Sequence, residues 1–167
     1  MKTFTLTHEI HCDTETFWKT FFDKAFNDDL FKNGLGFPAY ETVELRDSDN
    51  EIFRRVKATP KIDAPGPVVK ALGSSFSFTE DGTFDKTTKV FSWKSTPSSM
   101  ADKMKTEGTV RVEATGEGKV RRVCEFHYEA KVFGIGGLLE SSLEKSLRSG
   151  WDKSADFMNR HLKGKSA

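Results

Sequence analysis

The stretch from Leu138 to Leu162 constrains this chain most. Leu139, Leu143, Leu147, Gly150, Trp151, Ser154, Met158 and Leu162 fall in one broad stripe at helical spacing, and the rest of the segment is polar. A helix with one apolar stripe must lay it on a larger apolar surface. The residues before it read as the strands that supply one. Ser75–Phe84, Lys89–Thr96, Lys103–Ala114 and Lys119–Val132 are separated by DKTT, TPSS and TGEG, and Ala39–Arg46 and Glu51–Thr59 flank a DSDN turn. In the last strand Cys124, Phe126, Tyr128, Ala130 and Val132 share one face, with Glu125, His127, Glu129 and Lys131 opposite.

The N-terminal end alternates too. Phe4, Leu6, His8, Ile10 and Cys12 share an apolar face against Thr5, Thr7, Glu9 and His11, which predicts a half-buried first strand. Asp13 then caps a helix carrying Phe17, Trp18, Phe21 and Phe22, and a second short helix is expected around Asp28–Lys32, ending at Gly34 and Gly36. Pro60–Gly73 reads as a loop with one helical turn. The expected order is one strand, two short helices, six strands in hairpins and one long helix, a single α+β domain over residues 1–167.

Composition narrows the function. The 15 Phe against 2 Tyr suit a large dry interior or an apolar pocket, and the net charge of +1 gives no field that would gather nucleic acid. MKTFTLTHEIHC lacks the pattern of a secretory leader and no window approaches a membrane span, so a cytoplasmic protein is expected, at most peripheral to a membrane. Cys12 and Cys124 are far apart and read as buried thiols. No metal-ligand spacing, cofactor fingerprint or Ser-His-Asp order is legible, which weighs against an enzyme.

Three stretches carry a resemblance: the opening strand with DTETFW, the hairpin TFDKTTKVFSWKSTP, and the close GIGGLLESSLEKSLRSGWDKSADFMNRHL. With the element order, they resemble the START-like (SRPBCC, helix-grip, Bet v 1-like) superfamily, in a bacterial branch and more distantly in its sterol-carrying and phosphatidic-acid-carrying eukaryotic branches. The resemblance implies a seven-stranded curved antiparallel sheet wrapped around the long C-terminal helix, with a cavity between them for a hydrophobic ligand.

On that reading His8, Ile10, Phe76, Phe78, Trp93, Phe126 and Tyr128 would line the cavity from the sheet, and Leu143, Leu147, Gly150 and Ser154 from the helix. Small residues at Gly150 and Ser154 would leave room for a ligand, or else let helix and sheet approach closely. Arg54 either points inward, to meet an anionic ligand group or an internal carboxylate, or leaves Phe53 inside and faces water; the alternation with Arg55 and Lys57 favours water. A register placing Cys12 beside Cys124 would bring His8 beside Tyr128, a polar spot able to hold a head group or serve as acid and base. Glycine-softened Phe133, Ile135 and Leu138 would form one movable lip of the mouth, and Val68, Val69 and Leu72 the other; the alternative is two loops folded onto their own core.

The expected function is binding of a membrane lipid (phospholipid, sphingolipid or sterol-like), and its transfer or presentation by a monomer that touches membranes briefly. The alternatives are a cyclase- or dehydratase-like enzyme using His8 and Tyr128, and a co-chaperone-like module with a filled interior.

Overall fold

Alternation in the first strand becomes β1 (Lys2–Ile10), whose inward side chains end at fully buried Ile10. The Asp13 carboxylate accepts from the Thr16 backbone N–H at 2.8 Å and starts α1 (Thr14–Phe21). Asp23 does the same for α2 (Lys24–Asp29), which runs into a π-helical turn at Leu30–Gly34. The second short helix therefore begins four residues earlier than Asp28, because Asp23 is the capping residue.

Six strands follow: β2 (Ala39–Asp47), β3 (Glu51–Thr59), β4 (Phe78–Asp85), β5 (Val90–Pro97), β6 (Met104–Gly116) and β7 (Lys119–Ala130). A short helix α3 (Gly66–Leu72) interrupts them, and the long helix α4 (Gly136–Ser166) closes the chain. The computed structural model describes residues 1–166; Ala167, the end of the expected domain, lies outside the described residues. All seven strands form one antiparallel sheet in the order β1-β7-β6-β5-β4-β3-β2, so the first and last strands of the sequence pair and the edges are β1 and β2.

The α+β helix-grip architecture expected from the sequence is the one observed. Phe76 precedes β4 instead of lying in it.

Three packed clusters fill the concave side. The largest joins α1, the middle of the sheet and the C-terminal half of α4 through Ile10, Phe17, Phe21, Phe91, Trp93, Phe126, Met158 and others. Offset and edge-on ring pairs run through it, with Trp93 stacked on Trp151 at 6.4 Å. A small cluster of Val68, Met104, Ala130 and Leu139 closes the opposite end under α3, and Tyr40, Val56 and Ala58 form a third under the π-helical turn.

Candidate ligand cleft

Between those clusters the inner face changes character. Cross-strand register places Glu80 opposite Ser95 and Ser95 opposite Thr106, forming a polar row across β4, β5 and β6. All three are half-buried, as is Phe78, whereas Gly82, Phe84, Phe91, Trp93 and Val110 further along the same strands are buried. No side chain of Glu80, Ser95 or Thr106 has a hydrogen-bond partner among the described residues. Inward side chains that keep exposed area while their strand neighbours lose it border open space.

The helix above explains the opening. One flank of α4 is tied to the β1 edge of the sheet. Glu140 accepts from the Ala130 backbone N–H at 3.0 Å and pairs with Lys2 at 3.6 Å; Glu144 accepts from the Tyr128 hydroxyl. Further along, Arg148 lies over the Phe4 ring, Asp152 bonds His8 at 2.7 Å, and Asn159 donates to the Glu9 carbonyl at 2.9 Å. These residues recur at spacings of four or seven and so share one side of the helix. The other flank carries Leu143, Ser146 and Gly150, which make no side-chain hydrogen bond or ion pair among the described residues. Leu143 is half-buried yet joins none of the three clusters, and a Cβ added at Gly150 would meet nothing within 4 Å. That stretch of the flank and the half-buried row on β4 to β6 border the candidate cleft, while Leu139 and Phe157 on the same flank are packed.

Arg54 and Glu80 supply its charge. Arg54 points inward, only 8% exposed, and donates to the Phe21 carbonyl at 2.7 Å while its guanidinium lies over Phe21, Phe22 and Phe91. The reading that favoured water for Arg54 is thus corrected. It is Arg55 that faces out, forked onto Asp81 at 2.7 and 3.0 Å, and Phe53 shares that outer face. Glu80 sits one diagonal step from Arg54, since Arg54 pairs with Gly82 and Val56 with Glu80. Burial pushes the Glu80 carboxyl pKa above its ordinary value, against the pull of Arg54.

Other sequence-derived candidates lie elsewhere. The pairing of β1 with β7 sets His8 opposite Arg122, and Tyr128 opposite Lys2, so His8 and Tyr128 are not neighbours and Cys12 lies past the end of β1. Instead His8 joins a second polar group. Arg122, 2% exposed, donates to the Ser154 hydroxyl at 3.1 Å, the Trp151 carbonyl at 2.9 Å and His8 Nδ1 at 3.0 Å. Ser154 is small because it receives a guanidinium, so its place is filled, not vacant. Burial lowers the His8 pKa, with Arg122 adding to the effect and Asp152 opposing it. Ile10 and Phe126 are 0% exposed in the main cluster and offer a ligand no surface. Trp93 and Leu147 also pack there, but the Trp93 indole N–H finds no acceptor.

At the mouth, Val68 is buried, Leu72 and Ile135 are half-buried against the same small cluster, and Val69, Leu138 and Phe133 are exposed, Phe133 completely at 104%. Two of the glycines beside it have geometric reasons. Gly134 has φ +81°, and a Cβ at Gly136 would come within 2.7 Å of the Ala130 carbonyl oxygen. The loop is shaped by those needs rather than softened for its own sake. Two further hollows, about 470 Å³ bordered by Arg46, Asp47 and Phe53, and about 140 Å³ bordered by Thr7, His8 and Arg121, lie at the strand ends, away from the cleft.

The architecture matches solved structures along nearly its whole length. It is similar to the ZhuI aromatase/cyclase from Streptomyces sp. R1128 (TM-score 0.70, 10% identity, 99% of this chain and 96% of that one). It is also similar to norcoclaurine synthase from Thalictrum flavum (0.65, 13%, 96% and 86%) and to a START superfamily protein from Mycobacterium smegmatis (0.58, 12%, 97% and 97%). At such identities the likeness defines the class by fold alone, the START-like helix-grip proteins. Within that class the chain belongs to the family described as "Protein of unknown function (DUF2505)", whose model matches residues 5–162. Among curated proteins none matches it.

Proposed function

We propose that this protein binds a hydrophobic small molecule carrying a polar group, in the cleft between the unattached flank of α4 and strands β4 to β6. The observation that carries the reading is the row Glu80, Ser95, Thr106: inward-facing, partly exposed and without hydrogen-bond partners among the described residues, on strands whose next inward residues are sealed. Phe78, Leu143 and Leu147 supply apolar wall, and Arg54 and Glu80 a polar floor. Entry leaves the bonds of the β1 flank in place; on the other flank the Leu143 to Gly150 stretch lies between two packed points, Leu139 in the small cluster and Phe157 on Phe26.

The ligand class we favour is a membrane lipid, taken up through the end of the cleft where Val69, Leu138 and Phe133 face outward. Seating such a side chain among acyl chains is favourable by about 1.5–3 kcal/mol for one as large as Phe. Transfer or presentation of that lipid by a monomer in transient contact with a membrane completes the proposal. An enzyme reading based on His8 and Tyr128 loses its geometry, because the two belong to separate hydrogen-bonded groups.

Organic extraction and native mass spectrometry of the purified protein, followed by transfer between vesicles, test the reading. A co-purifying hydrophobic compound, or transfer well above the spontaneous rate, is the expected result. A chain that carries nothing and moves nothing would remove it.

A further inference from the structure

The polar floor of the cleft says more about the ligand than that it is hydrophobic. Resting on the reading above, we infer that the cleft selects a neutral, hydroxyl-bearing head group, which accepts from Arg54 and donates to Glu80, and that it discriminates against anionic lipids. Arg54 spends one N–H on the Phe21 carbonyl, and its other N–H groups have no acceptor among the described residues. Glu80 has no donor. The two lie one diagonal step apart on neighbouring strands, yet form no ion pair with each other. The Tyr40 phenol feels both charges but hydrogen-bonds neither group, so a ligand group beside them would have to accept on one side and donate on the other. An alcohol does both. Ser95 and Thr106 continue the row with hydroxyls that serve either way.

Charge decides against the alternatives. A carboxylate or phosphate on the ligand would gain Arg54 and meet Glu80, and like charges at close range in a partly dry site repel strongly. An ammonium group would meet the opposite conflict with Arg54. The neutral head group alone leaves the Arg54 and Glu80 charges balanced. Burial raises the Glu80 pKa, with Asp81 adding to the shift, Arg54 opposing it and the Tyr40 phenol beside it, so acid relaxes the exclusion of anions as the carboxyl takes up its proton.

The test compares two probes with the same chain, 1-O-hexadecylglycerol and palmitate, by titration calorimetry at pH 7.5 against the natural protein and Glu80→Gln. The natural protein is expected to bind the glycerol ether roughly tenfold more tightly than palmitate, and the variant to close most of that gap by gaining affinity for palmitate. Palmitate binding as well as the ether in the natural protein, or a gap unchanged by Glu80→Gln, would overturn the head-group inference and leave a general hydrophobic site standing. Failure of both probes on both proteins would overturn the hydrophobic-ligand reading, and this inference with it.

Discussion

The two ends of the concave face are built from the same strands and behave differently. At one end Phe84, Phe91, Trp93 and Val110 are sealed by α1 and by Trp151, Ala155 and Met158 of α4. At the other Phe78, Glu80, Ser95 and Thr106 stay half-exposed. Two arginines point inward and are buried, Arg122 at the sealed end and Arg54 at the boundary, on the Phe21 and Phe91 rings of that end, and the contrast between them is instructive. Arg122 is enclosed by acceptors from three directions, a hydroxyl, a carbonyl and an imidazole. Arg54 has a single acceptor and rests otherwise on aromatic faces. Three hydrogen bonds from Arg122 fix α4 to the sheet, although its Nε–H finds no acceptor, whereas Arg54 makes one, beside a Glu80 carboxyl with no hydrogen-bond donor.

Stability should separate the ends most clearly. Phe126→Ala, in the sealed end, is expected to cost about 3–5 kcal/mol in chemical denaturation, and Leu143→Ala, at the cleft, less than about 1.5 kcal/mol because no packed cluster includes it. Similar losses at both positions would show one uniformly solid interior.

The pH dependences should run in opposite directions. His8 has a folded pKa below its ordinary 6.5, so its contribution is present above that value and is lost as pH falls through the folded pKa. Protonation would turn Nδ1 from an acceptor into a donor facing Arg122, and Asp152 and Asp156 only partly offset this. Denaturation midpoints should drop on acidification from pH 7.5 to 5, by on the order of 1 kcal/mol, and His8→Asn should flatten that slope. Glu80 has a folded pKa above its ordinary 4.5, so its contribution is full below that value and is lost as pH rises through the folded pKa. Glu80→Gln should therefore raise the midpoint at pH 7.5 while removing the polar selectivity of the cleft; a fall would show Glu80 to be a structural ion-pair partner.

The smallest effect on folding belongs to the mouth. Phe133→Ser removes a side chain that touches nothing, so stability should change by no more than about 0.5 kcal/mol. Vesicle transfer by the same variant should slow several-fold; an unaltered rate would take Phe133 out of the membrane contact.

Much of the sheet was legible because alternation reports it directly. The β2–β3 pair appears nearly within the expected bounds, and Asp13 caps as its position announces. The site was harder to read, for physical reasons. A strand's period of two cannot tell which face is inward when both are charged, which is how Arg54 was read toward water until Asp81 claimed Arg55. Register between β1 and β7 depends on partners more than a hundred residues apart, so the His8–Arg122 contact, at a separation of 114, left no local sign. Small residues at Ser154 and Gly150 admit both room for a ligand and close approach; Ser154 serves Arg122, whereas a Cβ at Gly150 would meet nothing within 4 Å, and residue size alone does not separate these cases. Glu80, Ser95 and Thr106 were missed as a group because they become neighbours only through two strand pairings. The signal available was a charged residue, Glu80, at an inward position of a strand that also carries Phe78 and Phe84.

Gly150→Phe tests the central claim most directly, with folding and bound ligand measured on one sample. The side chain would project from the stretch of α4 between Leu143 and Trp151 into the proposed cleft, where an added Cβ meets nothing within 4 Å. The account predicts a variant that denatures at least as late as the natural protein, gaining from the loss of a helical glycine, and that no longer carries or takes up a hydrophobic ligand. A variant that unfolds readily, or one that holds the same ligand to the same extent, would contradict it.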